Sequence, residues 1–237
     1  MVSPDGVPTT NPRSRWGLRL LLVLLGIALW YKTQDLISQR PVTDSQIGDL
    51  PLEWLAPAHA YFYSDPLAAD LLLMASSLII DLLGVFLLGW SVFGPSMRPF
   101  LGLLILFSLR QVCQAFCALP APPEMIWHQP QLPPELGGFA VPSLLVTYEV
   151  ANDFFFSGHT ALATYGAWEV ARLGRRWIPL AGTIVVFEIG TVLVLRAHWT
   201  MDVFAAVVAA ICAASFAGGL APHVDRRLGI AQEGPEG

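Results

Sequence analysis

Six stretches of this sequence are too long and too apolar for the interior of an ordinary soluble domain: roughly 15–33, 66–90, 98–118, 158–174, 177–196 and 200–220. A bilayer core takes about 20 helical residues to cross, and the fourth stretch falls short of that. Charged residues make up 13% of the 237, where a soluble domain carries about 25%. The deficit lies in the six runs. Backbone groups in lipid must be satisfied within their own segment, so helices are expected. A transmembrane barrel would show alternating ten-residue segments, and none is visible. The expected fold is an all-α, six-transmembrane-helix bundle.

Lysine and arginine placement orients the bundle. With the N-terminus cytoplasmic, the inner segments carry Arg13, Arg15, Arg19, Arg98, Arg172, Arg175, Arg176, Arg226 and Arg227, and the outer ones only Lys32, Arg40 and Arg196. The connection from Leu119 to Phe156 has no Lys or Arg but holds Glu124, Glu135, Glu149 and Asp153. Both termini are then cytoplasmic: a tail over 1–14, a membrane domain over 15–220 and a second tail over 221–237. Arg13, Arg15 and Arg19 before an apolar run resemble a secretory signal. The run ends in Leu29, Trp30, Tyr31 and Lys32 without a small-x-small cleavage site, so an uncleaved first span is expected.

A net charge of −5 and a pI near 5.4 argue against a nucleic-acid partner. Three cysteines make no disulfide framework; Cys113 and Cys117 share a helical face and read as packing. Residues 34–65 mix acids with Trp54, Tyr61, Phe62 and Tyr63, which suits a segment at the headgroup level. Residues 119–148 hold seven prolines and should form an irregular segment, either a plain connector or a cover over a substrate.

The chemistry gathers at the outward ends of the last three spans. The fourth opens with Ser157-Gly158-His159-Thr160, and the sixth with His198-Trp199-Thr200-Met201-Asp202. The topology puts both histidines on one side at similar depth. His198 and Asp202, four apart, share a helix face. A carboxylate there could accept the imidazole Nδ1–H and leave Nε2 free as nucleophile or base. Two helix N-termini could converge on one anion, with Ser157 as N-cap and Gly158 allowing close approach. Arg110, in the outer half of the third span, should face a cavity or a partner. Its guanidinium suits phosphate oxygens; pairing with Asp81 or Glu188 is the structural alternative. Arg196 closes the fifth span nearby. His59, His128 and His223 belong to no constellation. No cofactor is implied, and no closed set of metal ligands is visible.

Ser157-Gly158-His159-Thr160 and His198-x-x-x-Asp202 resemble the paired signatures of the type 2 phosphatidic acid phosphatase superfamily. Asp153 before the first motif, Trp199-Thr200-Met201-Asp202-Val203 at the second, and the run from Arg110 to Pro122 are similar to its sphingomyelin synthase branch. The likeness covers roughly 66–220. Phe156 stands where ordinary lipid phosphatases have proline, Val192 where their third motif has arginine, and Ala151-Asn152 where sphingomyelin synthases tend to have Cys-Gly.

The resemblance implies an enzyme with His159, His198 and Asp202 as catalytic residues and Arg110, Asp153, Ser157, Gly158 and Arg196 as substrate-binding residues. It implies a phospholipid or lipid phosphate as donor, and a lipid alcohol or water as acceptor, at the extracytoplasmic face. A phospho-headgroup transferase working through phosphohistidine is the first expectation, and a lipid phosphate phosphatase the second. A non-enzymatic transporter or assembly factor is the third; it would depend on Asp81, Glu188 and Arg110 more than on the histidines.

Overall fold

The structure, a computed structural model, describes residues 12–39, 47–148 and 154–230. It is all-helical, with no strand among the described residues. Helix α1 spans Pro12–Ser38, followed by the short α2 (Leu50–Trp54) and α3 (Ala56–Ser64), then α4 (Pro66–Phe93) and α5 (Arg98–Phe116). After a long connection come α6 (Gly158–Ala171), α7 (Ile178–Val194) and α8 (Thr200–Leu228). Five helices, α1, α4, α5, α7 and α8, have the length and apolarity to cross a membrane.

The fourth expected span differs. Helix α6 has 14 residues, about 21 Å at 1.5 Å each, against a hydrocarbon core of about 30 Å. The helix does not face lipid on its own: it packs on α4, α5, α7 and α8, and Thr160, Ala161, Ala163 and Tyr165 are fully buried. The segment 154–157 leads into α6 as irregular backbone.

Small residues let these helices approach closely. Ala206, Ala210, Ala213, Ala214 and Ala217 form a buried stripe on α8. A Cβ on Gly102 of α5 would lie 1.9 Å from the Tyr165 hydroxyl of α6. Tyr165 in turn donates to the Arg98 carbonyl at 3.0 Å.

The helices alternate in direction, so their polar ends gather in two layers. At one end the α4–α5 turn is tied down: Arg19 donates to the carbonyls of Ser91 and Gly94, and Asp225 accepts from Ser96 Oγ at 2.6 Å and Met97 N at 2.8 Å. Arg98 pairs there with Glu169. Helix α8 continues past Leu220, where the apolar run ends, to place Asp225 at this turn. Arg226 and Arg227 fill its last turn and Gly229 closes it in the left-handed region. The opposite end holds both motif histidines. There α2 and α3 leave Trp54, Tyr61 and Tyr63 exposed.

Candidate active site

The site grows from a strap of irregular backbone at 154–157. The Phe154 carbonyl accepts from His198 Nδ1 at 2.9 Å. The Phe156 carbonyl accepts from Arg110 Nε at 2.9 Å. Ser157 N donates to the Asp202 carbonyl at 3.3 Å, while its hydroxyl caps α6 by accepting from Thr160 N. Four residues thus join α5, α6 and α8.

Arg110, Gly158, His159 and His198 all line one cavity of about 340 Å³. Arg110 also donates to Gln34 Oε1 at 3.2 Å. A Cβ on Gly158 would stand 3.4 Å from Arg110 Nε, so the missing side chain leaves open the space between a guanidinium and the first turn of α6. His159, in that turn, meets Trp127 edge-to-face at 5.1 Å between ring centres. Trp127 packs on Tyr148, and the Tyr148 hydroxyl is hydrogen-bonded to Ser77. Burial, with Asp81 and Glu188 nearby, pushes the Tyr148 phenol above its ordinary value against the opposing Ser77 bond, which keeps it neutral. Trp127 and the segment 145–147 line the cavity too, so part of the proline-rich connection is a cover.

The His198–Asp202 relation differs from the geometry expected of the spacing. A carbonyl only accepts, so the bond to Phe154 puts the neutral ring's proton on Nδ1 and the lone pair on Nε2. The Asp202 carboxylate stands 3.7 Å from Nδ1, beyond hydrogen-bond reach. Asp202 instead caps α8: Oδ2 accepts from Trp199 N at 3.0 Å. The side chain is fully buried, and Oδ1 has no hydrogen-bond partner among the described residues. Its influence on His198 is that of a close, poorly screened negative charge.

The second helix terminus is also occupied. Asp49 accepts from Thr200 N at 2.6 Å and from Thr200 Oγ1 at 2.7 Å. With Asp202 on Trp199 N and Asp49 on Thr200 N, the first donors of α8 are taken by carboxylates, which leaves the α6 terminus as the one facing the cavity. Asp49 is visible in the sequence as a cap before Leu50-Pro51, yet nothing local says that it caps a helix so distant in the chain.

Arg196 lies elsewhere. Its guanidinium donates to the Pro123 carbonyl at 3.3 Å and pairs with Glu124 at 2.7 Å, fastening the connection to the α7–α8 turn outside the cavity lining. Asp153 lies outside the described residues. Arg110 pairs with neither Asp81 nor Glu188. Asp81 accepts from Ser143 Oγ and from the N–H groups of Leu144 and Leu145 at 2.9–3.0 Å, and Glu188 accepts from Ser76 Oγ at 2.7 Å. Two of the histidines set aside have partners: His59 Nδ1 bonds the Val194 carbonyl at 2.8 Å, and His128 pairs with Asp70.

Two imidazoles, a guanidinium and a helix N-terminus meet on one cavity, a set of groups whose chemistry suits a tetrahedral oxyanion. Residues 151–217 match the family model described as PAP2 superfamily C-terminal. The match supports the PAP2 superfamily, whose members are phosphatases or phosphotransferases acting on lipid phosphates. It takes in both histidine motifs and leaves out Arg110 and the cover. No curated protein and no solved structure matches the chain.

Proposed function

We propose that the cavity is a phosphoryl-transfer site that moves a phospho-headgroup from a phospholipid or lipid phosphate to the hydroxyl of a second lipid. The observation that carries this reading is the meeting of His159, His198 and Arg110 on one cavity. His198 Nε2 attacks phosphorus: an N–P bond forms, and the P–O bond to the leaving lipid oxygen breaks. His159, protonated at the start, gives its proton to that oxygen. Arg110 and the N–H groups of the first α6 turn hold the non-bridging oxygens.

The imidazole becomes cationic as the N–P bond forms. Phe154 keeps its grip on Nδ1–H, and Asp202 lies close enough to stabilise the charge. Neutral His159 then takes the proton of the acceptor hydroxyl, whose oxygen forms the new P–O bond as the N–P electron pair returns to Nε2. Water in the acceptor's place would make the same residues a phosphatase. The mostly apolar lining of the cavity favours a lipid hydroxyl. Five helices long and apolar enough to cross a membrane support a multi-pass protein, and Arg98, Arg172, Arg175, Arg176, Arg226 and Arg227 sit at helix ends remote from the histidines. That distribution supports cytoplasmic termini and an extracytoplasmic site.

Incubation of the purified protein with headgroup-labelled phospholipid, with and without ceramide or diacylglycerol, tests the reading. A new labelled phospholipid that appears only with acceptor is the expected result. Release of the free phospho-headgroup alone, or of inorganic phosphate when the donor is phosphatidic acid, would assign the phosphatase reaction, and neither product with any lipid donor would refute the reading.

A further inference from the structure

The cavity is much longer than a phosphate needs. From Arg110 it follows α5 down to Phe100, about 15 Å of helix. Leu103, Leu104 and Phe107 form the stripe between them. Ile80, Gly84 and Leu88 of α4 recur every fourth residue along a second wall, and Gly26, Trp30 and Thr33 of α1 along a third. Its charged and imidazole groups, Arg110, His159 and His198, sit at one end. A ligand that fills this space has a charged head and an extended apolar body.

The floor is defined by one contact. A Cβ added to Gly26 would lie 2.9 Å from Phe100 Cζ, so the ring lies against the bare backbone of α1. Midway, a Cβ on Gly84 would lie 2.0 Å from Leu145 Cδ1; the cover's leucine occupies the glycine's notch. Neither glycine is needed for a turn. Both allow side chains from neighbouring elements to close the groove at set positions.

Resting on the reading above, we propose that this groove receives one acyl chain of the phosphorylated lipid, and that the Gly26–Phe100 contact sets the chain length preferred. The depth accepts about a dozen methylenes, each advancing roughly 1.3 Å in an extended chain. A tail moving from bilayer to groove leaves hydrocarbon rather than water, so hydrophobic transfer does not favour entry. Fit decides instead: a chain too short leaves a void, and one too long meets Phe100. Helix α1 is the wall through which the tail enters. It is the least buried of the five spanning helices, and Leu21, Leu24 and Leu25 on its outer side are exposed.

The first test reads occupancy without chemistry. The full-length protein in nanodiscs is photolysed with a phosphatidic acid carrying a diazirine at the end of one acyl chain. Labelling concentrated around Gly26 and Phe100, and falling about tenfold in Gly26→Leu as a filled methyl-scale pocket should give, is expected. Labelling confined to the outer leucines of α1 and unchanged in Gly26→Leu would overturn the proposal, whether or not transfer is found. Where transfer is found, Gly26→Leu should move the optimum of an acyl-length series to shorter chains and Phe100→Ala to longer ones. An optimum unmoved in both would also overturn it.

Discussion

His198 donates its Nδ1–H to the Phe154 carbonyl at 2.9 Å, while the carboxylate of Asp202 waits at 3.7 Å without a hydrogen bond to the ring. Two duties that one carboxylate often combines are divided here. Backbone fixes the tautomer, and a buried charge stabilises the imidazolium.

That division gives Asp202→Asn a graded effect. The amide oxygen can still accept from Trp199 N, and Phe154 still holds His198, so the fold and ring orientation survive. What is lost is a charge about 4 Å away, worth up to about 4 kcal/mol at an effective dielectric near 20. A fall in kcat of about 10²–10³-fold with little change in KM is expected. Steady-state kinetics on one lipid substrate check this; a rise in KM at constant kcat would assign Asp202 to binding instead.

Arg110 must hold the Phe156 carbonyl and, in the proposed reaction, a phosphate oxygen together. Lysine keeps the charge but not the planar fork. Arg110→Lys should lose about 10²-fold in kcat/KM, in the range of one lost oxyanion donor, with thermal stability changed far less than activity. Equal losses in both would make Arg110 a structural tie for the strap.

Asp81 and Glu188 separate the enzymatic reading from a transport pathway. Asp81→Ala strands Ser143 Oγ–H and two backbone N–H groups of the cover. The Leu144 N–H is exposed and can turn to solvent, but the part-buried Ser143 and Leu145 donors cannot do so as freely; a buried donor left unsatisfied costs about 1–3 kcal/mol, so a lower melting temperature and a partial loss of turnover are expected. Glu188→Gln retains an acceptor for Ser76 and should leave turnover within about threefold, because a surviving hydrogen bond limits the cost to under about 1 kcal/mol. Transfer activity abolished by Glu188→Gln but kept in His159→Ala would favour the charged-pathway alternative.

Gly102→Ala tests the packing that places α6. The added methyl would overlap the Tyr165 ring, and overpacking of this kind costs about 1–3 kcal/mol. Thermal unfolding in detergent should show the loss, and the smaller Tyr165→Leu should restore part of it in the double variant.

Much of this was legible in the sequence. Apolar runs marked the long helices, and the spacing of arginines foretold that Arg98, Arg172 and Arg226 would share the end away from the histidines. Ser157 announced its cap, and the prolines of 119–148 their irregular path. The misreadings share a cause: each concerned a partner supplied by backbone or by a distant segment. A four-residue spacing suggested that Asp202 would hold His198, but a carbonyl from the strap arrives first. Arg196 lay close to His198 in sequence, yet its left-handed backbone (φ 53°) and its pairing with Glu124 keep it out of the cavity. Asp81, weighed only as an alternative counter-charge for Arg110, is a structural partner of Ser143 and of the backbone at Leu144 and Leu145. Asp49 reaches α8 through the fold alone.

The central claim is that the His198 nitrogen opposite Phe154 forms a bond to phosphorus. Rapid quenching with headgroup-phosphorus-labelled lipid, followed by peptide mapping, tests it directly. The account predicts an acid-labile, base-stable label on the peptide containing His198, lost in His198→Ala along with turnover and accumulating when acceptor is withheld. Normal turnover by His198→Ala, or a label that maps to another residue, would contradict it.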